Sequence, residues 1–259
     1  VVHTTLAVLY QEHEMFFIFP KKKIVLDCFT DNELVLKTAP VTNAMKHIPE
    51  WWKKLPSTFV REGGFAPSPT MKYCTGMVDY YKKSIAIPLW SDLCIDVSND
   101  IYRWQFADGQ TYGSIHPIEK EAPGLLSEHG HIKIESPWIF RTKEKVSWTW
   151  SQPMYSFTGD LSDIKILPGV IDYFNQATTS INVMIPLGQI KNYFLHHGQA
   201  LVHLTPMFEN EVKIARHLLT EKEYKRMKNQ QIMPVFSKRY ISLVKAKEKF
   251  INCPYKKGV

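Results

Sequence analysis

Cysteine is scarce in this chain of 259 residues: there are four, at positions 28, 74, 94 and 253, and no Cys-x-x-Cys pair. That spacing excludes a disulfide framework and a cysteine-based zinc site, and it fits reduced, mostly buried thiols. Long apolar runs are missing too. No stretch approaches the roughly 18 consecutive apolar residues of a spanning helix, so the sequence predicts a folded, soluble protein without a membrane span. There is no phosphate-binding P-loop, no dinucleotide-binding glycine fingerprint and no serine-hydrolase elbow. No repeat of fixed period and no low-complexity tract occurs. The first fourteen residues lack a basic start and a small-residue cleavage site, so a secretory signal is not expected, and Met15 is a candidate native start.

What is present points to β-structure. Aromatic residues make up 13% of the chain, with sixteen prolines and twelve glycines. That mixture favours short strands joined by turns over a helical bundle. The net charge of +7 is unevenly placed: from Glu211 onward thirteen Lys/Arg stand against four Glu, so the preceding residues are slightly acidic. A basic C-terminal arm of this kind suits contact with nucleic acid or an acidic protein surface.

Local patterning divides the chain into three stretches: a β-rich region with long loops over 1–130, a barrel-like unit over 131–210, and a basic helical arm over 211–259. Strands are expected at Phe16–Phe19, Ile24–Phe29, Ser84–Leu89, Leu93–Val97, Ile101–Phe106 and Ile132–Ile134. Further strands are expected at Lys145–Trp150, Ile164–Leu167, Ile181–Ile185 and Ala200–Leu204. Asn43–Lys54 has helical spacing interrupted by Pro49, which predicts two short turns or a helix beginning near that proline. Trp51 and Trp52 read as packing residues. Arg61–Pro69 is a loop by composition, and residues 108–130 form a long excursion. Thr220-Glu221-Lys222-Glu223 has capping-box form and starts a helix running to about Gln230, with a second basic amphipathic helix over Tyr240–Phe250.

Three groups of residues are candidates for chemistry. Asp172, within Pro168-Gly169-Val170-Ile171-Asp172-Tyr173, is a carboxylate on a tight turn, able to hold a water or to cap the turn itself. His129, His131 and Glu135 share one face of a strand by period-2 spacing and are candidate metal ligands, with His196, His197 or His203 as a third imidazole. Tyr80-Tyr81-Lys82-Lys83 and Lys238-Arg239-Tyr240 interleave aromatic and cationic side chains, as single-stranded nucleic-acid surfaces do, although edge lysines on strands give the same pattern.

The Gly169–Asp172 turn, the run Ile181–Ile185 and the Gly198-led strand resemble the third motif of the deoxyuridine triphosphatase family. That resemblance implies a mainly-β, antiparallel β-barrel (β-clip) fold and a trimeric homo-oligomer. It makes Asp172 the catalytic candidate, with Gly169, Tyr173 and Gly198 as ligand-binding residues and Asp92 or Asp96 on the side of a Mg2+ ion. The chain departs from the pattern at several points. Asn175 stands where the family has its sugar-stacking aromatic, no Arg-Ser-Gly phosphate motif occurs, and no Arg/Gly-rich lid follows Gly198. The His129-Gly130-His131…Glu135 spacing resembles the metal-binding strand of cupins. Over residues 16–210, three segments together resemble an uncharacterised family of marine cyanobacterial tailed phages and some bacteria. They are Phe19-Pro20-Lys21-Lys22 followed by Leu26-Asp27-Cys28-Phe29 and Ile48-Pro49-Glu50-Trp51-Trp52-Lys53-Lys54-Leu55-Pro56; Thr70-Met71-Lys72-Tyr73-Cys74-Thr75 leading to Ile87-Pro88-Leu89-Trp90-Ser91-Asp92; and Pro137-Trp138-Ile139-Phe140 running into Gly169-Val170-Ile171-Asp172. These resemblances imply a non-catalytic phage-type binding or virion-associated protein that needs no cofactor, placed in the virion or the host cytoplasm. A divergent nucleotide pyrophosphatase is the alternative, and a cupin-like metal enzyme a third reading.

Overall fold

Strict alternation sets the first strand. In β1 (Ile24–Thr30) residues 24, 26, 28 and 30 are buried, while Val25, Asp27 and Phe29 lie half-exposed on the opposite face. The coordinates are a computed structural model that describes residues 23–110, 112–115, 128–157, 159–176 and 178–229. The strand expected at Phe16–Phe19, the helix expected at Tyr240–Phe250, Lys238-Arg239-Tyr240 and Cys253 lie outside them.

Three sheets share one core. Numbered in chain order, the largest runs β11 (Lys165–Ile166), β13 (Thr178–Pro186), β9 (His129–Arg141), β1 and β16 (Val212–Leu218), with β8 (Gly113–Ile115) also paired to β9. The second runs β12 (Gly169–Asp172), β10 (Ser147–Ser151), β15 (Ala200–Pro206), β5 (Ile85–Pro88) and β2 (Thr42–Asn43). The third consists of β14 (Gln189–Leu195), β6 (Leu93–Asn99) and β7 (Ile101–Phe106). The inner faces meet in a single apolar cluster that includes Leu26, Ile87, Phe106, Trp138, Trp148 and Tyr193. Burial of such large side chains contributes on the order of 2–3 kcal/mol each and dominates the stability of the fold.

The pairings are antiparallel apart from β1 with β16, which run parallel from Ile24↔Val212 to Thr30↔Leu218. Among the described residues no sheet closes on itself, which corrects the expectation of a closed barrel over 131–210. The strands of that stretch are dealt to three sheets: β9, β11 and β13 to the first, β10, β12 and β15 to the second, and β14 to the third. β9, β14 and β15 pair with strands from elsewhere in the chain, and edges remain at β11 and β16 and at β12 and β2.

Helices cover the outer faces. The Asn43–Lys54 stretch splits at its proline into a 3-10 turn, Ala44–His47, and α2 (Glu50–Lys54), following α1 (Glu33–Thr38). With α3 (Thr75–Lys83) these elements bury Trp52, Met77 and Tyr81 against Ala86 and Ala200 of the second sheet. Tyr80 and Tyr81 therefore sit on a helix, and Tyr81 is buried, which corrects the reading of this segment as a strand face. The last described helix, α4 (Glu221–Asn229), starts at the expected capping box: Glu223 N–H donates to Thr220 Oγ1, and Thr220 N–H donates to Glu223 Oε2 at 2.9 Å. It lies on the outer face of the first sheet, where Met227 and Tyr224 pack on Ile139 and Phe29.

Candidate functional site

Asp172 ends β12, and its carboxylate is engaged in the turn that follows. Oδ1 accepts from the Phe174 amide at 2.8 Å and Oδ2 from Asn175 Nδ2 at 2.8 Å, while its carbonyl accepts from the Gln176 amide at 2.8 Å. A carboxylate followed by two such donors is a self-capping turn. Gly169 faces Trp150 across the β10–β12 pair, and the indole occupies the space where a Cβ would stand. Tyr173 turns inward and is buried against Phe140 and Trp148. Gly198 takes φ +77° in the β14–β15 turn and donates to Leu89 O at 2.7 Å. Strand β10 lies between β12 and β15, so the strand bearing Gly169 and Asp172 does not neighbour the one that follows Gly198. Asp92 accepts from the His197 amide at 2.6 Å, and Asp96 is exposed on the outer face of β6.

The histidine strand forms as the spacing predicts, but its neighbours divide the candidate ligands. His131 is buried, with Nε2 3.2 Å from Asn182 Oδ1 on β13. Glu135 is exposed and pairs with Lys228 of α4 at 3.1 Å. Gly130 is held by close packing, since a Cβ there would lie 2.5 Å from Cε1 of Tyr102. His197 Nε2 meets Thr38 Oγ1 at 3.0 Å, and His203 lies in the aromatic layer under α3. Among the described residues no three His, Cys, Asp or Glu side chains form a metal-holding group.

A different place gathers polar groups around open space. Where β1 runs into α1, opposite Glu135-Ser136-Pro137 of β9 and the inner side of α4, there is a cleft of about 240 Å³. Asp31, Tyr112, Glu135, Tyr224 and Lys228 line it. Each wall is fixed by local chemistry. Asn32 caps α1 by accepting from the Val35 amide at 3.1 Å, which sets the preceding Asp31 at the rim. Tyr224 donates to Pro137 O at 3.1 Å, tying α4 to β9. Tyr112 donates to Asp108 Oδ2 at 2.9 Å while its ring packs edge-on against Phe106 and Trp90.

The electrostatics of the cleft are asymmetric. Glu135 has its cation in Lys228, whereas Asp31 has none within ion-pair distance among the described residues. Burial, and after it the charge of Glu221, holds the Asp31 carboxyl above the usual aspartate range, against the opposing pull of a hydrogen bond from its own backbone amide and of Lys225 and Lys228. Burial first, then Asp31 and Glu135, likewise pushes the Tyr224 hydroxyl up, so it stays a neutral donor. The cleft thus presents a half-buried carboxylate that has no ion-pair partner among the described residues, in a lining it shares with two tyrosines. Sequence reading missed it because its parts come from four separated segments, and the one signal available was the capping box that anchors α4.

No protein-family model, curated protein or solved structure matches the chain. No described helix is long and apolar enough to cross a membrane.

Proposed function

We propose that the protein is a non-catalytic binding protein, of the phage type that its sequence resembles, and that it captures a cationic group (an alkylammonium or guanidinium) in the Asp31 cleft. The observation that carries this reading is the Asp31 carboxylate, partly desolvated in a cleft it shares with Tyr112 and Tyr224 and with no ion-pair partner among the described residues. A charged ligand there restores the compensation that burial withholds, and the tyrosine faces add cation–π attraction of about 0.5–2 kcal/mol. The reading calls for no cofactor. It places the protein in the virion or the host cytoplasm, with the basic C-terminal sequence from Glu211 onward as the part that suits an acidic protein or nucleic acid.

Support against the hydrolase alternative comes from Asp172, whose two oxygens already hold their own turn. Calorimetric titration with n-butylammonium and with L-arginine tests the proposal: saturable binding is expected for the wild type and its loss in Asp31→Asn. Magnesium-dependent release of pyrophosphate from deoxyuridine triphosphate, abolished in Asp172→Asn, would replace this reading with the hydrolase one.

A further inference from the structure

Two exposed apolar surfaces on this chain match each other in character and oppose each other in charge. The first is a two-stranded ribbon, β3 (Thr58–Val60) paired with β4 (Pro67–Pro69), which joins none of the three sheets. A two-stranded hairpin has little stability of its own, and apolar side chains on it have nothing to bury against. On it Val60 is 62% exposed and Phe65 at the tip fully exposed, and Tyr73 in the 3-10 turn that follows is 61% exposed. From Glu50 to Lys72 four Lys/Arg stand against Glu50 and Glu62, and Lys53 is already paired with Glu50, which leaves the region an excess of two positive charges.

The second surface is the outer face of the β14-β6-β7 sheet. A sheet with one solvated face normally places polar residues outward. Here the register sets Ile190, Ser98 and Ile101 in one outward row and Phe194, Cys94 and Gln105 in another. Ile190 is 81% and Ile101 65% exposed. Between the rows lie Asn192, Asp96 and Arg103, and acidic groups flank the face: Asp100 at the β6–β7 turn, with Asp160 and Asp163 beside β14. Against these acids the face sets Arg103, which stands beside Asp96 in its row, while Lys191, on the other side of β14, pairs with Asp163.

We infer that the basic, aromatic ribbon of one copy docks on the acidic, apolar sheet face of a second copy of this chain, head to tail. Exposed apolar side chains grouped on one face and bordered by polar residues mark an interaction site. Like charge within each patch disfavours its pairing with itself, which rules against a two-fold contact, whereas ribbon on sheet joins opposite charges. Such a contact leaves one free ribbon and one free sheet in every dimer, so further copies add until a ring closes or a filament grows. The inference does not depend on the Asp31 cleft.

Light scattering coupled to gel filtration tests it with Phe65→Asp and Ile190→Asp, both at exposed positions, their folding checked by circular dichroism. The wild type is expected to run at a mass of several copies, and each variant as a monomer. An equimolar mixture of the two is expected to run at twice the monomer mass, because the intact ribbon of Ile190→Asp finds the intact sheet of Phe65→Asp. A monomeric wild type, including one whose ribbon instead retains single-stranded DNA, would overturn the inference. So would folded variants that keep the wild-type mass, or a mixture that stays monomeric.

Discussion

The Tyr80 hydroxyl lies 2.8 Å from Nδ1 of His203, and the opposite nitrogen of that imidazole is buried without a hydrogen-bond partner. His203 is fully buried between the second sheet and α3, with its ring against Tyr80 and Tyr81. Burial, with a smaller contribution from His47, pushes its pKa down to about 3. The folded protein therefore holds this histidine neutral.

A pH dependence with a definite sign results. An unfolded histidine takes up its proton near pH 6.5, while the folded one resists to about 3. Stability from this site is complete above pH 6.5 and is lost as pH falls through that window, at up to about 1.4 kcal/mol per unit. Urea unfolding at a series of pH values is expected to show that slope in the wild type and a shallower one in His203→Phe. Equal slopes would contradict the burial argument.

Gly130→Ala is expected to destabilise the fold by about 1–3 kcal/mol, since the new methyl would meet the Tyr102 ring inside van der Waals contact. The penalty is expected to shrink in a Tyr102→Ala background, because the two residues form one packing unit. A double-mutant cycle on thermal or urea unfolding measures the coupling.

Asp172→Ala removes two acceptors from the turn after β12 and is expected to cost about 1–2 kcal/mol of stability. Neither this variant nor the wild type is expected to turn over deoxyuridine triphosphate in a magnesium-supplemented phosphate-release assay.

Thr220→Ala removes one half of the capping box and is expected to cost about 1 kcal/mol. The loss falls on α4, so hydrogen exchange is expected to quicken in Glu221–Asn229 before it does in β9. Uniform quickening throughout the chain would show that α4 is not a separately opening element.

Short-range patterns carried much of the fold into the sequence. β7 was expected at the bounds it takes, β1 and β6 were legible because period-2 alternation is a property of neighbours, and β15 was legible as a short apolar run led by Gly198. Thr220 and Glu223 announced α4 for the same reason. β14, β16 and the β3–β4 ribbon were not anticipated. β16 has a mixed burial pattern and gains its partner from β1, almost the whole chain away. Arg61–Pro69 has the composition of a loop, and the pairing of Thr58–Val60 with Pro67–Pro69 runs through two prolines that strands seldom admit. The capping role of Asp172 was legible, but the turn was expected at Gly169–Asp172, and those residues instead pair as β12, with the turn following at Tyr173–Asn175. The Asp31 cleft was not, because Asp31, Tyr112, Glu135 and Tyr224 become neighbours only through the packing of α1, β9 and α4.

The most direct test of the account is the titration of Asp31 itself, followed through its carboxyl carbon by nuclear magnetic resonance with and without n-butylammonium. In the free protein its pKa is expected above the ordinary aspartate value, as burial and Glu221 dictate. With the cation bound it is expected to fall, because an opposite charge in the cleft favours the ionised form. A pKa that is the same with and without saturating n-butylammonium would contradict the claim that this cleft is a cation-binding site.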